Sequence, residues 1–142
     1  MASILVLNGP NLGRLGSREP EIYGSMNYDQ LASELVAFAE KHGHNADVRQ
    51  TDSESELIGW LHEAVDSKTP VVVNPAAFTH YSYALADAAA LVTKSGVKLI
   101  EVHISNPHAR EEFRHKSVIS AVATGVIAGF GTDSYKLAIQ AI

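Results

Sequence analysis

Three short apolar runs in this sequence each stop at a polar side chain followed by a turn. Ile4 to Leu7 leads into Asn8-Gly9-Pro10-Asn11, Val71 to Val73 into Asn74-Pro75, and Val97 to Val102 into His103-Ile104-Ser105-Asn106-Pro107. Asparagine and proline end strands by their own turn chemistry. Three such ends together, one of them carrying an imidazole, also make a set of hydrogen-bond donors around a proton carrier. Two long polar stretches add cations and a phenol: 9–26 holds Arg14, Arg18, Glu19, Glu21 and Tyr23, and 106–117 holds His108, Arg110, Arg114 and His115. Histidine titrates nearest neutrality, so the chemistry this set suggests is proton transfer on a small molecule.

The seven histidines sort by position. His42 and His44 flank Gly43 at a helix end and His62 lies on a polar helix face, so all three are expected at the surface. His80 and His103 lie near Asn74 at strand ends. Neither has a second histidine at a metal-ligand spacing such as i, i+4, and a chain without cysteine has no thiolate nucleophile or sulfur-ligated zinc. Acid–base work without a metal is the expectation. Gly9, Gly13 and Gly16 do not follow the dinucleotide spacing, and no Lys-Ser or Lys-Thr comes after them, so no phosphate cradle is expected.

Positioning these groups falls to alternating elements. The apolar runs, with a final one at Val122 to Ile127, are short and rich in Val, Ile and Leu, as strands buried on both faces are. A weaker strand is expected at about Asn45 to Arg49. Between them lie segments of helical spacing: Asn27 to His42, Ser53 to Asp66, Ser82 to Thr93, and a last one at Tyr135 to Ile142. Asn27 before Gln30 and Ser53 before Glu56 have capping-box spacing, and Gly43 and Gly96 close two helices. Beta then alpha, repeated, predicts a single α/β domain over 1–142: a five-stranded parallel sheet of flavodoxin-like order 2-1-3-4-5 with helices on both faces. In such sheets ligands bind beyond the carboxyl ends of the strands, where the polar groups gather. The two polar stretches exceed ordinary connections, and 9–26 reads as a lid.

Composition sets the outer bounds. One domain of 142 residues, 46% apolar and 19% charged, buries a real core. A net charge of −5 argues against general nucleic-acid binding, while leaving room for a local basic pocket. No apolar run is long enough to cross a bilayer, and no basic region precedes the first hydrophobic stretch, so the expectation is a soluble cytoplasmic protein without a membrane partner.

Taken in order, LNGPNLGRLGSREPEIYG, RQTDSESELIGWLHEA, NPAAFTHYSYALADA, EVHISNPHAREEFRHKS and ATGVIAGFGTDSYKLA closely resemble the type II 3-dehydroquinate dehydratases along the whole chain. The resemblance implies a flavodoxin-like fold and a hydro-lyase that needs no cofactor. It would remove water from 3-dehydroquinate to give 3-dehydroshikimate, in the shikimate pathway of aromatic amino-acid biosynthesis. It further implies a homo-oligomer, a dodecamer built from trimers. By the same match Tyr23 is the base, Arg18 the lid arginine that assists it, His103 the proton donor, and Asn11 the residue that holds the enolate oxygen through water. Asn74, His80, Ile104, Ser105 and Arg114 fall on substrate-binding positions, and Asp87 on an aspartate that reaches a neighbouring subunit's site. The sequence departs from the common family pattern at Phe78, Tyr81, Ala86 and Lys116, none of them an assigned catalytic position; Ala86 stands where an arginine is usual.

The chemistry of these residues agrees. A tyrosine of ordinary pKa, about 10, is ionised to only about one part in a thousand at pH 7. A cation within about 4–6 Å lowers such a pKa by roughly 1–3 units, which is what Arg18 would do for Tyr23. An enolate gathers charge on oxygen, which fixed donors stabilise. Expelling a hydroxyl then needs an acid, and His103 serves if a carboxylate keeps it cationic. Glu101, on the same face of that strand, is the expected orienter. The substrate carboxylate suits Ser105 and the backbone amides near Ile104; ring hydroxyls suit Asn74, His80 and Arg114 as donors. A flavin-binding or receiver module of the same fold is the competing reading. A receiver wants acidic residues where this chain has Asn8 and Asn74, and a flavin site wants aromatics stacked on the ring.

Overall fold

The computed structural model describes residues 1–17, 21 and 25–142. Within them five strands, β1 (Ala2–Asn8), β2 (His44–Gln50), β3 (Val71–Asn74), β4 (Leu99–His103) and β5 (Gly125–Ala128), form one sheet of order β2-β1-β3-β4-β5. Every neighbouring pair is parallel. Four helices, α1 (Tyr28–Lys41), α2 (Glu54–Ser67), α3 (Tyr83–Lys94) and α4 (Asp133–Ala141), cover the two faces. The expected order and layering are those observed.

Strand parity divides the core. Ile4, Val6, Val72, Ile100 and Val102 point to one face and pack against Leu31 and Leu35 of α1 and Tyr135, Ala138 and Ile139 of α4. Leu5, Leu7, Val71, Val73 and Leu99 point to the other, against Leu57 and Leu61 of α2 and Leu85, Ala88 and Val92 of α3. A fully buried leucine such as Leu35 contributes about 1.5–3 kcal/mol to such a core. The central strands β1, β3 and β4 are buried on both faces as their continuous apolar runs require, whereas β2 and β5 are edges and partly exposed.

Local signals set the boundaries. Asn27 accepts from the Gln30 backbone N–H while Gln30 returns a bond to the Asn27 N–H, a complete capping box. At Ser53 the forward bond from Glu56 N–H forms, at 3.2 Å, and it is the one described there. Gly43 and Gly96, at φ 82° and 95°, close α1 and α3. The fifth strand starts later than its apolar run suggests. Val122 and Ala123 are held in a turn by the Ile119 carbonyl, so the strand begins at Gly125. His44 departs from its expected place at the surface: it opens β2 opposite Ala2 and is half-buried. No helix among the described residues is long and apolar enough to cross a membrane.

Candidate active site

The carboxyl ends of β1, β3 and β4 meet at an open cavity. The groups reach it from opposite faces of the sheet. Asn8 and Asn74 follow the parity of Ile4, Val6 and Val72 toward α1 and α4, whereas Glu101 and His103 follow Leu99 toward α2 and α3. The turn after β1 is tight: Gly9 N–H donates to the Asn74 carbonyl at 2.8 Å, and a Cβ at Gly9 would lie 2.6 Å from the Pro75 carbonyl oxygen. Only glycine fits that approach. Two non-glycine residues at the rim, Asn11 and Ala76, hold left-handed φ values of 70° and 52°. Such conformations persist where the surroundings impose them, and here they bend both strand ends around the cavity.

Of the expected site residues, Asn11, Asn74, His80, His103, Ile104, Ser105 and Arg114 all line this cavity. Asp87 does not. It is exposed on α3 and is absent from the lining. Arg18 and Tyr23 lie outside the described residues, as does part of the expected lid at 9–26. Arg110, known from the sequence only as a cation of the 106–117 stretch, also lines the cavity, with Nη1 3.5 Å from Ser105 Oγ. Among the described residues no group of three or more His, Asp or Glu side chains is placed to hold a metal ion.

His103 is paired to Glu101, Nε2 to Oε2 at 2.5 Å, and both are buried. Burial alone would push the Glu101 carboxyl up. The bond from His103 and the attraction between the two outweigh burial, helped by hydroxyl bonds from Ser120 at 2.7 Å and Ser117 at 3.1 Å, and the carboxyl sits below its ordinary range. An ionised carboxylate only accepts, so the imidazole's Nε2 carries the hydrogen that faces it. Nδ1 is then the atom left for chemistry at the cavity. Because the carboxyl is depressed in the folded state, Glu101 stabilises the fold above the ordinary carboxylate pKa. That stability is lost as pH falls through the folded value. Glu101→Gln is expected to lower kcat about 10- to 100-fold at pH 7, part of the roughly 10²- to 10⁴-fold that a positioned acid contributes. Steady-state kinetics across pH check this. A profile that keeps its shape and height would show that Glu101 does not act through His103.

His80 is set differently. Its Nδ1 lies 2.7 Å from the Lys116 carbonyl, which only accepts, so Nδ1 carries the hydrogen. Burial lowers its pKa, and the nearby Arg114 charge acts the same way against the opposing pull of that carbonyl. The neutral ring then offers Nε2 as an acceptor. Its expected part as a donor is thus reversed: it suits a hydroxyl hydrogen on a ligand rather than a hydroxyl lone pair. Arg114 is held from two sides, with its guanidinium 4.6 Å from the Phe113 ring centroid and Nε 3.1 Å from Glu111 Oε1. Its planar fork is therefore aimed before any anion arrives. A depressed carboxylate behind an imidazole, a neutral histidine acceptor, two arginines and strand-end amides make a site for moving protons on a small, polar, anionic molecule.

Comparison with known proteins agrees with that chemistry. Residues 2–142 match the family described as dehydroquinase class II. The 3-dehydroquinate dehydratase of Salinispora tropica is 57% identical over 137 residues, covering 96% of this chain and 94% of that protein. That of Halalkalibacterium halodurans is 51% identical over 142 residues, covering 100% and 96%. The crystal structure of type II dehydroquinase from Propionibacterium acnes superposes with a TM-score of 0.95 at 55% identity, over 99% of this chain and 94% of that one. The type II dehydroquinase of Butyrivibrio crossotus also gives 0.95, at 44% identity over 99% and 96%. By sequence along its length and by fold, this chain belongs to the class II dehydroquinase family.

Proposed function

We propose that this protein is a 3-dehydroquinate dehydratase that works through an enolate. The observation that carries the reading is His103, paired to buried Glu101 and lining a cavity with Asn11, Asn74, His80, Ser105 and Arg114, in a chain with dehydratase relatives above 50% identity. Tyr23, as a phenolate favoured by the charge of Arg18, takes a proton from the carbon next to the ketone. The C–H electrons move into the enolate, and Asn11 holds its oxygen through water. As the ketone re-forms, the neighbouring C–O bond breaks, and His103 Nδ1 gives its proton to the departing hydroxyl, which leaves as water. Arg114, Ser105 and the backbone at Ile104 hold the substrate's carboxylate and hydroxyls, with Asn74 and His80 on its ring oxygens. Arg110 adds a second cation to that anion site. Each turnover leaves Tyr23 one proton richer and His103 one poorer, and exchange with solvent restores both.

The working unit in this reading is a cytoplasmic homo-oligomer, a dodecamer built from four trimers, that acts without a metal or cofactor. The exposure of Asp87 on α3, away from its own chain's cavity, supports its contribution to a neighbour's site. The receiver alternative finds no support at the strand ends, where Asn8 and Asn74 are tied to each other through a tyrosine rather than presented as carboxylates. Purified protein mixed with 3-dehydroquinate is expected to develop the ultraviolet absorption of a conjugated enone, at the same rate with and without a chelator. No absorption change would overturn the activity, and a rate abolished by the chelator would overturn the metal-free mechanism.

A further inference from the structure

One buried group near the cavity has no part in the mechanism above. Tyr135, on α4, is fully buried, and its hydroxyl sits between the ends of β1 and β3. It donates to Asn8 Oδ1 at 2.6 Å and accepts from Asn74 Nδ2 at 2.9 Å. The chain of bonds extends both ways. Asn8 Nδ2 donates to the Arg49 carbonyl at 3.2 Å, and Asn74 Oδ1 accepts the Ala76 backbone N–H at 3.1 Å. A backbone carbonyl only accepts and a backbone N–H only donates, so the two ends fix the direction of every bond between them. Asn8 must turn its carbonyl to Tyr135, Tyr135 must spend its one hydrogen on Asn8, and Asn74 must turn its NH₂ to Tyr135. Burial pushes the Tyr135 phenol up, so it stays protonated and the direction does not change with pH.

We infer that Tyr135 is a positioning residue for substrate binding: it locks Asn74 so that the cavity meets the second N–H of its amide and never its carbonyl. Asn74 therefore binds an acceptor, a carbonyl or hydroxyl oxygen of the substrate. Paired with His80, whose free nitrogen accepts, it gives the cavity one donor and one acceptor of fixed sense, which reads the orientation of a polyhydroxylated ring. A ligand with a bare C–H at the Asn74 position leaves a buried N–H unpaired, and that is the larger penalty in hydrogen bonding.

This inference rests on the dehydratase reading and is tested by steady-state kinetics on 3-dehydroquinate with Tyr135→Phe, Asn74→Ala and the double variant. Tyr135→Phe keeps the ring and removes the oxygen. It is expected to raise KM about tenfold with kcat within about threefold, the scale of one hydrogen bond. The double variant should be no worse than Asn74→Ala alone, because both changes remove the same contact. Ile139→Val, a buried change one turn along α4, is the control. It should lower Tm and leave KM unchanged, which separates positioning from loss of stability. If Tyr135→Phe does not fold, Asn8→Ala removes the acceptor that sets the hydroxyl's direction, along with the bond to the Arg49 carbonyl, and it should raise KM without adding to Asn74→Ala. An unchanged KM in the folded variants, or effects that multiply with those of Asn74→Ala, would overturn the inference. A wild-type protein inactive on 3-dehydroquinate would instead overturn the dehydratase reading.

Discussion

His103→Ala is expected to cut kcat about 100- to 10,000-fold while KM for 3-dehydroquinate changes little. That range is what a positioned general acid contributes, and it falls on kcat because the proton moves only as the C–O bond breaks. The geometry gives the proton to Nδ1: Nε2 is committed to Glu101 at 2.5 Å, and the ring lines the cavity from the floor. The same substitution has a cost in stability. It leaves Glu101, buried behind the cavity, with Ser117 and Ser120 as its described partners. Losing a hydrogen bond to a buried charge costs about 1.5–3 kcal/mol. The carboxyl, no longer facing an imidazole, should titrate closer to neutrality, so the loss of Tm should be greatest at neutral pH and shrink as pH falls. Steady-state kinetics beside thermal melts at two pH values check both parts. A folded variant that keeps its turnover would place the acid elsewhere.

Tyr23→Phe is expected to be as severe and to differ in kind. Phenylalanine keeps the ring and removes the hydroxyl alone, so substrate should still bind through Arg114, Ser105, Asn74 and His80, while turnover should fall about 100- to 10,000-fold. A guanidinium near a phenol favours its ionised form, and the sequence resemblance assigns those two roles to Arg18 and Tyr23. The pH dependence should separate the two variants. The wild-type acid limb reports the phenolate and should vanish with Tyr23, whereas the alkaline limb reports the imidazolium and should vanish with His103. Binding of 3-dehydroshikimate, measured by calorimetry, should survive in Tyr23→Phe. Retained turnover would mean that another group takes the proton.

The fold was legible because its signals are local. Asn27 and Gln30 are three residues apart, Gly43 and Gly96 follow their helices directly, and the strands buried on both faces are continuous runs of Val, Ile and Leu. The start of β5 was misplaced because the turn that displaces it depends on the Ile119 carbonyl and on Thr124 bonding to Leu99 across the sheet. At the site, the convergence of Asn74, His103 and Ser105 followed from a rule about strand ends, and the Glu101–His103 pairing followed from a separation of two on one strand. What was not legible depends on partners distant in sequence. Tyr135 lies 61 residues from Asn74 and 127 from Asn8, and nothing in its own neighbourhood marks it. The acceptor state of His80 is set by a carbonyl 36 residues away. Ser117 and Ser120, which add to the pull of His103 on the Glu101 carboxylate, read in the sequence as ordinary loop serines. Periodicity reports which face a side chain takes, whereas the direction of a hydrogen bond is known only once both ends are placed.

Division of labour between two groups, one removing a proton to make an enolate and the other returning one to release water, is most directly tested by ¹H NMR in D₂O. The samples are 3-dehydroquinate with the wild type, with His103→Ala and with Tyr23→Phe. The wild type should form the enone. His103→Ala should exchange the hydrogen beside the ketone for deuterium with little enone, and Tyr23→Phe should do neither. An unchanged substrate with the wild type, or enone formed by Tyr23→Phe at the wild-type rate, would contradict it.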